Sequence, residues 1–198
     1  MLIHAKDVIA LVEDSLVENM RKNLAYLLLT SKSEHYIRDK VALRLYDKYG
    51  KKGLLIYREY GETKRIDLAV LEQRKPNKKV ILFEFKIGAD PHYIDIAKDY
   101  KRLVRKNARC HIVFLTLVPE KAIEMPHRGL VHKAYIKQIN KHAAKGVIDV
   151  CKRWNSVVDV VTKKSKQVER NCLLFNAGKF YRYKTTAFLG VISFGKVK

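Results

Sequence analysis

The sequence predicts one α/β domain in which a helix, three strands, a second helix and a fourth strand follow in that order. Three observations carry this. Residues 30–50 place apolar side chains at helical spacing, and residues 53–86 hold three short runs rich in Ile, Val, Leu, Phe and Tyr, separated by turn residues. A further helical stretch beginning at Pro91 leads into RCHIVFLTLV (109–118), a strongly apolar strand. At 198 residues and 47% hydrophobic composition, the chain has the length and apolar content for a single core. It divides into an N-terminal helix (1–30), a core (31–118) and a basic C-terminal α/β extension (119–198).

In residues 5–29, Ile9, Val12, Leu16, Met20, Leu24, Leu27 and Leu28 recur three or four apart. This predicts one long helix that packs on the core or against a second subunit. Residues 30–50 form the next helix, with Ser33 as N-cap, a stripe of Ile37, Val41, Leu45 and Tyr49, and Gly50 as terminator. The strands are 53–60, 65–71 and 79–86. The short connections GETK and a turn at Pro76-Asn77 make them an antiparallel meander. The helix over 91–108 has Asp90 as N-cap and Pro91 in its first turn. A helix at about 128–145 is closed by Gly146, whereas VIDVCKRW and NSVVDVVTKK have no decisive period. Residues 172–194 read as a hairpin around Asn176-Ala177-Gly178 plus a last strand.

Charge narrows the partners. The chain holds 41 Lys and Arg against 20 Asp and Glu, a net +21. Residues 1–30 carry a net −1, residues 31–110 a net +10 and residues 111–198 a net +12. A basic body with a nearly neutral leading helix points to a polyanion, and nucleic acid is the usual one. Membrane partners are excluded on this reading, because no stretch is apolar enough to span and no basic helix shows an exposed Trp/Phe/Leu face. Acids interrupt MLIHAKDVIALVEDS, so it is no signal peptide, and three scattered cysteines form no metal or disulfide pattern. These features fit an intracellular, cytoplasmic protein.

The run VILFEFK (80–86) raises a chemical question, because a buried strand rarely carries charge without a reason. Side chains alternate along a strand, so Glu84 and Lys86 share a face, about 6.6 Å apart. The preceding strand carries one acid, Asp67 in RIDLAVL, which meets Glu84 if the register allows. Two adjacent carboxylates must share a proton or a cation. Paired oxygen ligands with room for water and phosphate suit Mg²⁺, with the backbone carbonyl of Phe85 as a third ligand. Lys86 then stands beside the metal-bound water, and the group reads as a hydrolytic metal site.

The order Asp, hairpin, Glu-x-Lys resembles the PD-(D/E)xK nuclease superfamily, which includes restriction endonucleases and Holliday-junction resolvases. The resemblance begins at SEHYIRDKVALRLYDKYG, with Glu34 near a helix start and Arg38 four residues on. It extends through DIAKDYKRL and covers residues 31–118. It implies a restriction-endonuclease-like mixed sheet flanked by helices, with Asp67 and Glu84 as metal-binding acids. Lys86 would orient or deprotonate the attacking water, Glu34 would contact the metal directly or through water, and Tyr100 matches the aromatic of the following helix. Ile66 stands where the name-giving proline would be, and Asp95 where many members have Gln. The implied cofactor is Mg²⁺, with Mn²⁺ able to substitute, and no small-molecule cofactor is expected.

Two basic groups are candidates for nucleic-acid contact. Lys98, Lys101, Arg102 and Arg105 lie on the helix after Lys86. Lys133, Lys137, Lys141 and Lys145 recur every four residues and read equally as a phosphate track or a solvated face. FYRYK (180–184) reads as a half-buried strand, and His35 and His92 lack any metal-binding spacing. The expectation is a Mg²⁺-dependent DNA endonuclease, homodimeric, with restriction-type, nicking and junction-resolving activities all open. The rivals are a nucleic-acid binder without catalysis and a structure-specific RNA nuclease.

Overall fold

Alternation along the central strands decides the architecture. The computed structural model describes residues 4–16, 23–30, 34–61, 65–88, 91–124, 133–163, 165 and 167–195. In chain order the elements are α1 (Ala5–Ser15), α2 (Leu24–Thr30), α3 (Glu34–Tyr49), β1 (Leu54–Tyr60), β2 (Ile66–Glu72), β3 (Lys75–Ile87), α4 (Tyr93–Leu103), β4 (Arg109–Pro119), α5 (Lys133–Ala143), α6 (Gly146–Thr162), β5 (Glu169–Phe180) and β6 (Tyr183–Phe194). The six strands form one sheet in the order β1-β2-β3-β4-β6-β5. β3 and β4 pair in parallel, as the α4 crossover requires, and the other neighbours are antiparallel.

On one face Leu68, Val70, Phe83, Phe85, Val113, Leu115 and Leu189 pack against α1, α2, α3 and α5. On the other, Ala69, Leu82, Ile112, Phe114 and Phe188 pack against α4 and α6. The period of two along each strand sorts these sets. β4 is buried along its whole length because both of its faces are covered. The expected α/β core with a mixed sheet between helices is therefore the observed one.

Several local expectations are corrected. Among the described residues the N-terminal apolar pattern is not one continuous helix: α1 ends where Leu16 leaves helical geometry at φ −89°, ψ 63°. Its apolar face is used within the chain, since Val8, Val12, Leu24 and Leu28 are buried in the core. Met20, Ser33 and Asp90 lie outside the described residues. α4 is capped by His92, so Pro91 precedes the helix instead of opening it. Gly146, with φ +73°, begins α6 after a turn. The two stretches without a decisive period are that one helix, which buries Val150, Trp154, Val158 and Val161. The closing hairpin turns at Tyr181-Arg182. Asn176–Gly178 instead makes a bulge inside β5, where the Asn176 side-chain oxygen accepts the Gly178 N–H at 2.8 Å.

Trp154 fills the space above Gly190 of β6. A Cβ at Gly190 would lie 2.6 Å from the indole. Gly190→Ala is expected to destabilise the fold by about 1–3 kcal/mol through overpacking, read from the urea midpoint.

Candidate active site

Strand parity brings the charged residues of β2 and β3 to the face that carries α4. Leu68 pairs with Phe83, which sets Asp67 level with Glu84 on the same face as Ala69 and Leu82. Asp67 Oδ2 accepts the Phe85 N–H at 2.7 Å. Glu84 is only 2% exposed and is ion-paired with Arg102 of α4. Arg102 also pairs with Asp99 at 2.8 Å and donates to the Arg65 carbonyl at 2.9 Å. Asp99 in turn holds Lys86, with Nζ–Oδ2 at 3.0 Å. Glu34 comes from the other layer. At the first turn of α3 its carboxylate accepts the Ile87 N–H and lies in the fields of Asp67 and Lys86.

These groups perturb one another. Burial raises the Glu34 pKa, and Asp67 adds to this against the opposing Lys86 and Ile87 N–H. Burial likewise raises Asp99, with Asp67 and Asp95 adding to the shift and Lys86 opposing it. Burial works against the Lys86 charge, but Asp99, Asp67 and Glu34 together outweigh it and hold the ammonium above its ordinary range. Burial lowers Arg102, opposed by Asp67. By formal charge, four carboxylates (Glu34, Asp67, Glu84, Asp99) face two cations (Lys86, Arg102), an excess of two negative charges.

Asp67, Glu84, Lys86, Asp99 and Arg102 form the floor of an open cleft of about 750 Å³, and Glu34 approaches them from the other layer. Arg65, Lys98, Lys101, Arg105 and Lys106 line its walls, giving an acidic floor within a basic rim. Among the described residues, no three His, Cys, Asp or Glu side chains are placed to hold a metal ion together. Mg²⁺ does not need three, since one or two carboxylates with water and phosphate are its usual set. Asp67, Glu84 and the Phe85 carbonyl are all hard oxygen donors, and the negative excess of the floor, increased by Glu34, favours a cation. The residues fit such an ion.

The structure brings Asp67, Glu84 and Lys86 together and draws Glu34 to their end of the sheet. Lys98, Lys101, Arg102 and Arg105 reach the cleft, although Arg102 is turned inward to Glu84 and Asp99. The second basic group is elsewhere. Lys137 and Lys141 are exposed on α5, which covers the opposite sheet face, and exposed Lys145 caps α6. The Lys133 side chain lies outside the described residues. Tyr100 packs at a tilt against Phe194, ring centroids 4.7 Å apart, and anchors α4, and Asp95 is an exposed partner of His92 at 3.4 Å. Arg38 is 7% exposed and pairs with Glu59, whose φ of +52° interrupts the β1 ladder beside Asp67. It thus ties the start of α3 to the edge strand.

Sequence reasoning assigns no site role to Asp99, Arg65 or Lys106, although Asp99 lies within DIAKDYKRL and Arg65 opens RIDLAVL. Only Asp99 leaves a signal there, its i,i+3 spacing to Arg102 on a helix face. Cys110 is excluded as a nucleophile, because burial pushes its thiol up to about 12.

No described helix is long and apolar enough to cross a membrane. No curated protein and no solved structure matches the chain. The family model of the PD-(D/E)XK nuclease superfamily matches residues 12–170, a span that includes Glu34, Asp67, Glu84, Lys86 and all of α4. With most of its length inside that match, and the acids and lysine of the signature on one face of a mixed sheet, the chain belongs to the PD-(D/E)XK nuclease superfamily.

Proposed function

We propose that this nuclease is a Mg²⁺-dependent DNA endonuclease. The observation that carries the reading is the convergence of Asp67, Glu84 and Lys86 on the floor of a cleft with basic walls. Asp67, Glu84 and the Phe85 carbonyl would hold the ion, with Glu34 acting directly or through a water. When bound, such an ion polarises the phosphate and acidifies water. The chain's own residues do the rest. The Asp67 carboxylate is aimed by the Phe85 N–H, and Lys86 is aimed by Asp99, so both present fixed geometry to an incoming phosphodiester. Asp99 keeps Lys86 protonated in the metal-free site, which suits it to orient water or stabilise negative charge on phosphate. Lys98, Lys101 and Arg105 are exposed on the wall and would grip the backbone without reading bases.

The test is incubation with duplex, branched and single-stranded DNA and with RNA duplex, with Mg²⁺, Mn²⁺ or EDTA. Cleavage of DNA that requires the cation is expected. Cleavage of RNA alone would move the reading to an RNA nuclease, and binding without cleavage would remove catalysis from it. Replacing Lys98, Lys101 and Arg105 by Gln should reduce the slope of log affinity against log salt by about 0.9 for each phosphate no longer neutralised. Replacing Lys137 and Lys141 should leave that slope unchanged, because α5 lies in the other layer. Cutting both strands with one site per subunit requires a two-fold assembly, so a homodimer is part of the proposal. Light scattering at working concentration tests it.

A further inference from the structure

Glu84 is a carboxylate with almost no access to solvent. Burying such a charge is costly unless a partner neutralises it. The partner is Arg102, which reaches down from α4 and is held there by Asp99 and the Arg65 carbonyl. A guanidinium supplies one positive charge, and with Lys86 the three floor carboxylates Asp67, Glu84 and Asp99 keep one negative charge in excess, to which Glu34 adds a second from the other layer. A divalent ion would offset that excess, but one held by the Glu84 carboxylate would lie beside the guanidinium that the same carboxylate already holds. Two cations at one small carboxylate repel each other strongly.

We infer that Arg102 is a resident counter-ion for Glu84, which a divalent cation must displace in order to bind. The inference rests on the metal reading of the site given above. Arg102 is well placed to yield. Its side chain is 22% exposed, and it lies on the cleft wall among Lys98, Lys101 and Arg105. Turned outward, it adds a planar, two-pronged donor for a phosphate oxygen. Asp99 then keeps its hold on Lys86, so the ammonium stays aimed while the guanidinium leaves. Arg102 is in this account a positioning residue: it keeps the metal-free site folded and hands Glu84 over when the ion arrives. A permanent structural ion pair would behave differently, because its loss would weaken the site for every ligand.

The experiment measures cation binding without nucleic acid. Full-length protein and Arg102→Met are titrated calorimetrically with Mg²⁺ and with Mn²⁺, and the thermal midpoint of each is read with and without the ion. The variant is expected to bind the cation about tenfold tighter or more, because no ion pair has to be separated first. Its midpoint should be lower than wild type without the ion and should rise further when the ion is added. Equal or weaker affinity in the variant, with wild-type binding intact, overturns the inference and leaves the metal reading standing. No binding in either protein overturns both. If Arg102→Met does not fold, the wild type decides the matter. Its Arg102 Nε–H resonance, assigned by comparison with Arg102→Lys, should move and exchange faster with water as Mg²⁺ is added, and a stationary resonance overturns the inference.

Discussion

Asp67→Asn is expected to lower the single-turnover rate of DNA cleavage by about 10³-fold while the affinity for DNA changes little. The substitution is nearly isosteric, and the side-chain oxygen can still accept the Phe85 N–H, so the local backbone stays in place. What disappears is one of two carboxylate charges available to a cation. The chain stays folded because Asp67 is only partly buried. DNA binding is set by the basic walls and should hold or tighten slightly as a negative charge leaves the floor. Fluorescence anisotropy in EDTA and a single-turnover assay in Mg²⁺ separate the two quantities. If binding fell as far as cleavage, the role assigned to Asp67 would be structural. Glu84→Gln is a poorer probe of the same idea, since it also removes the ionic partner of Arg102 and so changes stability together with metal binding.

Acid is expected to destabilise the fold from about pH 6.5 downward, with His111 as a principal cause. This side chain is fully buried at the β4–β6 pairing. Its Nδ1 lies 2.7 Å from Ser193 Oγ and its ring stacks on Phe83 at 4.9 Å. Burial holds its pKa down to about 3 from 6.5, with the nearby Arg109 adding to the shift and Glu169 opposing it. The folded protein therefore keeps the ring neutral through a window in which the unfolded chain protonates it. The contribution of His111 is fully present above pH 6.5. It is lost as pH falls toward about 3, at about 1.4 kcal/mol for each pH unit inside the window. Glu34 and Asp99 act in the opposite sense, since raised carboxyl pKa values favour the folded state as pH falls. Urea midpoints at pH 7.5, 6 and 5 for wild type and His111→Gln isolate the histidine. The variant should start less stable and lose less on acidification, and parallel losses in the two proteins would remove His111 as the cause.

The meander, the crossover and the acid-and-lysine pattern are legible in the chain because each is local. A period of two along β2 and β3, short turns between them and a helix-length connection to β4 leave few alternatives for how those strands pair. The same periodicity puts Glu84 and Lys86 on one face whatever the register. Joining Asp67 to them requires the register, and the β2–β3 ladder supplies it. The α6 helix buries a stripe of Val150, Trp154, Val158 and Val161, yet its many β-branched residues suit a strand equally well. The end of α1 at Leu16 leaves no local mark, because an apolar residue fits a helix and a buried corner alike.

By itself the sequence determined the class of fold, the basic character and the candidate acids, since composition, period and spacing are properties of neighbours along the chain. Only the tertiary structure decided that Arg102 turns inward to Glu84, that Asp99 aims Lys86, that Glu34 joins the site from the far layer, and that the α5 lysines sit behind the sheet. Those arrangements join side chains from different elements. Their energies depend on burial and on which face of the sheet each helix covers, and no local pattern carries that information.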